Sequence, residues 1–239
     1  MTTTTLENHL LKFETLIDPL DPVASLRIIA EAWPRQVVFS TSFSLEDQAI
    51  THLIFGNDIA IDLFTLDTGR LFAETYSTWS ATLQRYGKAI AAYYPNAANI
   101  QQFVTEIGPN AFYDSVENRK QCCYLRKVEP LKRALSKRKV WITGIRAEHS
   151  PNRQQMKQVE WDTENEVFKF HPILHWTQEQ LTEFIATHNI PANPLHDKGF
   201  VSIGCAPCTR AVKLGEDFRA GRWWWEDADK KECGLHVHK

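Results

Sequence analysis

The chain has 239 residues, a hydrophobic fraction of 43%, a charged fraction of 23% and a formal net charge of −2. That length suits one large domain or two small ones and is long enough to fold without disulfide staples. The near-neutral charge gives no general argument for binding nucleic acid or membranes, so an anion site has to be a local cluster of basic residues. No basic segment followed by an apolar run opens the chain, and no stretch approaches membrane-spanning length. A cytoplasmic protein with neither nucleic acid nor membrane as partner is expected. In that compartment clustered cysteines serve metals or catalysis more often than disulfides.

In chain order, residues 1–35 carry Leu6, Leu10, Leu11, Phe13 and Leu16 at helical spacing. A strand follows over 36–40, then a hydroxyl-rich turn, Thr41-Ser42-Phe43-Ser44-Leu45, and a helix opened by Glu46-Asp47-Gln48. A second strand, 60–66, stops at Asp67-Thr68-Gly69. A helix over about 70–86 and a short strand at 90–93 come next. Another helix near 127–137 leads into a strand at 140–143 that stops at Gly144. Thr177-Gln178-Glu179-Gln180 predicts a capping box and a helix to about His188. Strands alternating with helices predict an α/β, Rossmann-like fold, a mostly parallel sheet with helices on both faces. Residues 1–214 are expected to form one domain, and 215–239 a mobile, Trp-rich tail.

In such a sheet, ligands bind beyond the carboxyl ends of the strands, where a helix N-terminus offers free N–H groups to an anion. Ser40, Thr41, Ser42 and Ser44 add hydroxyls there. The chain has no G-x-G-x-x-G and no Walker lysine, which excludes the dinucleotide and Walker readings. Leu66-Asp67-Thr68-Gly69-Arg70 and Thr143-Gly144-Ile145-Arg146 are two more strand ends with a Gly and then an Arg. The three ends are expected to converge, with Arg146 gripping a phosphate. Taken singly, each also reads as an ordinary polar turn. Arg219 and Arg222 are three apart, so on a helix they would face the same side and make a candidate second anion clamp. The run Trp223-Trp224-Trp225 reads as packing or as a stacking lid.

The five cysteines divide into an adjacent pair, Cys122-Cys123, a C-x-x-C, Cys205-Ala206-Pro207-Cys208, and a single Cys233. Adjacent cysteines are awkward for one zinc ion, whose paired ligands are normally two to four residues apart, and suit a wider four-iron cluster better. Zinc, a redox pair and buried structural thiols stay open on spacing alone. Cys233 lies between Lys230-Lys231 and His236. Neighbouring cations lower a thiol's pKa, so this residue is a candidate nucleophile as well as a candidate surface thiol.

Together these motifs resemble the assimilatory sulfonucleotide reductases, and more closely their iron–sulfur branch, the adenylylsulfate (APS) reductases. The resemblance runs from about Val37 to His236. The turn Ser40–Asp47 is similar to the family's modified pyrophosphate loop, although Ser44-Leu45 stands where relatives often carry Gly-Ala. The run 66–70, Thr143–Ser150, Asn193–Phe200, the two cysteine pairs and Glu232-Cys233-Gly234-Leu235-His236 complete it. The resemblance implies thioredoxin-dependent (or glutaredoxin-dependent) reduction of APS to sulfite and AMP, with Cys233 as catalytic nucleophile. It implies one [4Fe-4S] cluster on Cys122, Cys123, Cys205 and Cys208. It implies substrate contacts at Ser40, Ser42, Phe43, Ser44, Glu46, Asp47, Leu66, Asp67, Thr68, Gly69, Lys127, Gly144, Arg146, Arg219, Arg222 and His236. A homo-oligomer is left open. The alternatives are reduction of the 3′-phosphorylated nucleotide PAPS, a tRNA thiolase of the pyrophosphate-loop class, and a non-enzymatic iron–sulfur or zinc sensor. The thiolase would want a Ser-Gly-Gly loop and a basic surface, and neither is present.

Overall fold

The computed structural model describes residues 3–149 and 155–226. The amphipathic start is two helices, α1 (Thr3–Leu16) and α2 (Pro22–Ala32). They are divided where Asp21 caps α2 by accepting from Ala24 N and Pro22 fills its first turn, a position that suits proline because its missing N–H is not needed there. The strands are β1 (Val37–Ser40), β2 (Asp62–Leu66), β3 (Ala91–Tyr93), β4 (Val140–Ile142), β5 (Val159–Asp162) and β6 (Val167–Phe170). The remaining helices are α3 (Leu45–Phe55), α4 (Ala73–Tyr86), α5 (Ala97–Ile107), α6 (Val116–Cys123), α7 (Glu129–Leu135) and α8 (Gln178–Thr187). The capping box at Thr177 and Gln180 is present.

One six-stranded sheet has the order β3-β2-β1-β4-β6-β5. All neighbours are parallel except the edge pair β5–β6. Successive side chains of a strand point to opposite faces, and here they feed separate cores. Val37, Phe39, Leu63, Val140 and Ile142 pack with α1, α2 and α3 through Phe13, Leu26, Ile29 and Ile50. Val38, Phe64 and Trp141 pack against Leu131, Ala134 and Leu135 of α7 on the other face. Burial on both faces is why these strands read as continuous apolar runs.

β2 lies on one side of β1 and β4 on the other, so the chain reverses its winding direction at β1. The crevice at the carboxyl ends of β1 and β4 is therefore where an open α/β sheet receives a ligand. Among the described residues, no helix is long and apolar enough to cross a membrane.

Candidate active site

The β1-to-α3 turn is shaped by two residues. Phe43 has a positive φ of 61°, uncommon for a non-glycine residue and held at a cost of roughly 1–3 kcal/mol where surrounding structure enforces it. The enforcement is visible: its ring is buried and stacks on Trp79 with centroids 5.5 Å apart. Phe43 thus anchors the turn from below and turns away from the crevice. Ser44 caps α3 by accepting from Asp47 N.

Asp47 closes the turn from above. Its Oδ2 accepts both the backbone N–H and the hydroxyl of Ser42 at 2.6 Å. Burial nevertheless pushes its pKa up to about 6, against the pull of the Ser42 bonds and with a further upward push from Glu46. Across the crevice, a Cβ added to Gly144 would stand 2.3 Å from Asp47 Oδ1. The end of β4 must be glycine for the two strand ends to close together.

A cavity of about 280 Å³ opens at this point. Eleven of the residues expected to touch substrate line it: Ser40, Ser42, Ser44, Glu46, Asp47, Leu66, Thr68, Lys127, Gly144, Arg219 and Arg222. Phe43, Asp67, Gly69 and Arg146 do not. Asp67 is buried and accepts from Gly69 N and Tyr76 Oη, both at 2.8 Å. Burial, aided by the Asp67 carboxylate, pushes Tyr76 up to about 12. Gly69 serves the turn, with φ of 70°.

Arg146 is 1% exposed, and its guanidinium is held inside the protein. It donates to Glu46, Glu148, the carbonyl of Trp176 and the side chain of Gln178. It ties the β4 end to the start of α8 and fixes Glu46, in place of the phosphate grip expected of it. The expected nucleophile Cys233 and His236 lie outside the described residues.

Sequence reasoning missed Thr65, Thr75, Trp141 and the stretch Val201-Ser202-Ile203-Gly204 along the cavity wall. The strand-end threonine was a readable signal. The stretch was not, because only its position before Cys205 places it there.

Below the cavity, the cysteine segments meet. Cys122, Cys205 and Cys208 are buried in one cluster with Phe103, Phe112 and Trp223, and Cys123 packs against it. None of the four is in a disulfide. α6 carries the adjacent pair and passes directly into a π-helical turn, Tyr124–Val128, a distortion common at functional sites. The extra residue per turn brings buried Arg126 onto the carbonyl of Thr68 at 2.7 Å and puts Lys127 on the cavity wall. Thr68 Oγ1 lies 3.2 Å from Cys205 Sγ. Burial pushes Cys122 up, as does the charge of Cys205, while Arg126 opposes. Burial pushes Cys208 up to about 12, again aided by Cys205, with Lys127 and Arg222 opposing.

Among the described residues, no group of three or more His, Cys, Asp or Glu is arranged to hold a metal ion. The donor set itself suits a metal–sulfur group. It comprises four thiols, three of them buried in an apolar shell, each of the two raised thiols burdened by a neighbour's charge, with Arg126, Lys127, Arg222 and a hydroxyl beside them.

The start of the expected tail packs on the same site. Thr209 pairs with Arg222 in an antiparallel bridge. Trp223 N donates to Cys208 O at 3.2 Å. Arg222 lies over the Trp223 ring at 4.8 Å, and its Nε is buried with no hydrogen-bond partner among the described residues.

A model of the phosphoadenosine phosphosulfate reductase domain matches residues 36–211. The chain belongs to this family. A protein from Allochromatium vinosum named adenosine 5′-phosphosulfate reductase is 48% identical over 84% of this chain and 78% of its own length. One of the same name from Sinorhizobium fredii (strain NBRC 101917 / NGR234) is 45% identical over 99% of this chain and 94% of its own. The crystal structure of a phosphoadenylyl-sulfate (PAPS) reductase from Candida auris, in complex with phosphate, superposes with a TM-score of 0.71. It covers 89% of this chain and 98% of that one at 24% identity, a likeness of fold alone. The family match spans all three strand ends and both cysteine pairs, while Arg219, Arg222 and Trp223 of the cavity wall lie beyond it.

Proposed function

We propose that the protein reduces adenylylsulfate to sulfite and AMP in assimilatory sulfate reduction, with thioredoxin or glutaredoxin as reductant. The observation that carries this reading is a nucleotide-type crevice whose basic wall backs onto a cluster of four thiols. The β1, β2 and β4 ends form one wall, and Lys127, Arg219 and Arg222 stand on the other, Lys127 and Arg222 near enough to act on Cys208. Relatives named for APS support that substrate over PAPS.

The division of roles in this reading joins the crevice geometry to the family resemblance. The α3 N-terminus and the hydroxyls of Ser40, Ser42 and Ser44 receive the nucleotide. Lys127, Arg219 and Arg222 surround the sulfate end and offset the charge that accumulates when a thiolate approaches an anion. The thiolate of Cys233 attacks the APS sulfur. The sulfur–oxygen bond to phosphate breaks, and AMP leaves with the electron pair. The product on the enzyme is S-sulfocysteine, which divides one hard reduction into two substitutions. A thiolate of the reductant then attacks Cys233 Sγ and expels sulfite. Its second thiol closes a disulfide and restores the Cys233 thiol, so the dithiol supplies both electrons. The leaving phosphate is a weak base and needs no general acid.

Cys122, Cys123, Cys205 and Cys208 would hold a [4Fe-4S] cluster, whose thiolate ligation would offset the cost of crowding three buried thiols and the half-buried Cys123 together. When bound, it supplies an electrostatic and structural element at the sulfate end. Residues 1–214 form the nucleotide-binding domain in this reading, and the following segment delivers the nucleophile.

The deciding experiment is anaerobic incubation of the reduced protein with APS, followed by mass spectrometry of the C-terminal peptide. The expected result is a sulfonate-sized adduct on Cys233 with release of one AMP. AMP release without an adduct would sink the nucleophile assignment, and no reaction with APS would sink the reading as a whole.

A further inference from the structure

Ser40 ends β1 and Ser42 follows in the turn, and both line the cavity. Their hydroxyls are committed in opposite senses. The Ser42 hydroxyl donates to Asp47 Oδ2 at 2.6 Å, so its proton is already used. Ser40 Oγ instead accepts, from Trp141 Nε1 at 2.8 Å. Chemistry fixes the direction of that bond, because an indole N–H donates and cannot accept. A hydroxyl has one proton and two lone pairs. The indole takes one lone pair of Ser40 and leaves its proton to be given. Among the described residues, no acceptor takes it.

Trp141 is held so that this bond persists. It is the middle residue of β4, 2% exposed, and it also lines the cavity. In the sheet it pairs with Val38 of β1 and Lys169 of β6. Directly paired residues send their side chains to one face of the sheet. Lys169 Nζ therefore lies over the indole, 5.1 Å from the ring centroid. A cation in that place is attracted to the ring face and holds its plane. Lys169 is itself buried and bound to Asp162 Oδ2 at 2.7 Å. Asp162 also accepts from the backbone N–H groups of Glu164 and Asn165 and from the Asn165 side chain. The turn between β5 and β6 thus anchors the cation, the cation steadies the indole, and the indole sets Ser40.

We infer that Trp141 is a positioning residue of the crevice, which makes the Ser40 hydroxyl a fixed hydrogen-bond donor and so selects a ligand atom able to accept there. A purine ring nitrogen or a phosphoryl oxygen qualifies, and the exocyclic amino group of adenine does not. The inference rests on the nucleotide site proposed above and adds to it a polarity at Ser40 and a residue that acts through Ser40.

The test is a double-mutant cycle on the full chain. Trp141→Phe, Ser40→Ala and the double variant are compared with the wild type by calorimetric titration of AMP and of adenosine at pH 7.5. At that pH Asp47, with its pKa at about 6, is ionised and keeps the Ser42 proton. AMP affinity is expected to fall about three- to tenfold in each single variant, the scale of one hydrogen bond. The double variant is expected to match Ser40→Ala within about twofold, because an indole N–H with no hydroxyl to orient has nothing left to lose. An indole that only filled the core would cost the same with or without Ser40, and the two losses would multiply. Multiplied losses, or a silent Trp141→Phe, would overturn the inference. Adenosine separates the two acceptors: equal losses for adenosine and AMP place the atom on the nucleoside, and losses for AMP alone place it on the phosphate. Should Trp141→Phe not fold, Ser40→Ala, at a partly exposed strand end, still decides. A loss on the expected scale supports the donor, and unchanged affinity overturns it. Failure of the wild type to bind AMP would overturn the proposed function itself, a result distinct from all of these.

Discussion

Asp47 Oδ2 takes both hydrogen bonds that Ser42 can give, at 2.6 Å each, yet burial leaves its pKa at about 6. The direction has two consequences. The folded-state pKa lies above the ordinary carboxylate value of 3.8, so folding favours the protonated form. Its contribution to stability is fully present below the unfolded value and is lost as pH rises through about 6. An anion bound in the same cavity meets an extra negative charge above that pH and a neutral acid below it. APS is therefore expected to bind Cys233→Ser protein about tenfold more tightly at pH 5.5 than at pH 7.5, the effect of roughly one unit of pKa. APS is the correct probe because a free phosphate such as that of AMP titrates near pH 6 itself. Asp47→Asn should flatten the dependence. Calorimetric titration across that range checks it, and equal slopes in the two proteins would show that another group is responsible.

Gly144 and Asp47 are in near contact across the crevice, with 2.3 Å left for a methyl group. The obstacle is a short carboxylate fixed by Ser42 and the α3 N-terminus, so it cannot swing aside as a lysine tip would. Gly144→Ala should push Asp47 off its Ser42 bonds and widen the β1–β4 gap. Overpacking of this kind costs roughly 1–3 kcal/mol, and the expected result is AMP affinity lowered about tenfold or more. The thiol cluster, on the far side of the cavity wall, should keep its iron content. Iron analysis and AMP titration on one sample check both halves.

These two residues also show what was legible in the sequence. Gly144 and Asp47 each stood at a strand or helix terminus, which is local information, and the parallel sheet followed from the alternation of strands and helices. Arg146 shows the opposite case. An arginine after a strand-end glycine reads as an anion ligand, but its partners, Glu46, Trp176 and Gln178, come from distant parts of the chain. Nothing local announces that its charge is already used. The β5–β6 hairpin and helices α5 and α6 were missed for a related reason. α6 reads Val-Glu-Asn-Arg-Lys-Gln-Cys-Cys, with no apolar stripe to mark it, and its buried face is made of Arg119 and Cys122. Docking of residues 222–226 was hidden similarly, since a Trp-rich charged run looks like a tail until Arg119 is placed beneath it.

The thiols divide into two tests. Cys205→Ser should lose iron and sulfite formation together, since Cys205 is central to the cluster and its charge raises both Cys122 and Cys208. Cys233→Ser should keep iron and visible absorption and lose sulfite formation entirely. Anaerobic purification with iron analysis and sulfite assay checks the pair. An iron-free Cys205→Ser protein with full activity would remove the cluster from the reading.

Arg222 offers the most informative single substitution at the sulfate end. Its guanidinium packs so tightly over Gly204 that a Cβ there would stand 2.5 Å from Nη2. It faces the Trp223 ring on one side and reaches Ser202 Oγ at 3.4 Å on the other. A flat, delocalised cation fits that slot, and an ammonium does not. Arg222→Lys keeps the charge but gives up the stacking and the planar fork. If the residue acted only as a diffuse positive charge, the substitution would be nearly silent. If it holds the sulfonate as charge builds between thiolate and sulfate, kcat should fall by about 10²-fold, the scale of losing one oriented donor. The KM for APS should change little, because the nucleotide end is held by the β1 and β4 turns. Arg219→Lys, at a side chain with no indole stacking among the described residues, serves as the comparison and should lose less. Steady-state kinetics with saturating reductant separates the outcomes: a fall in kcat alone assigns Arg222 to the transition state, and a rise in KM alone assigns it to ground-state binding.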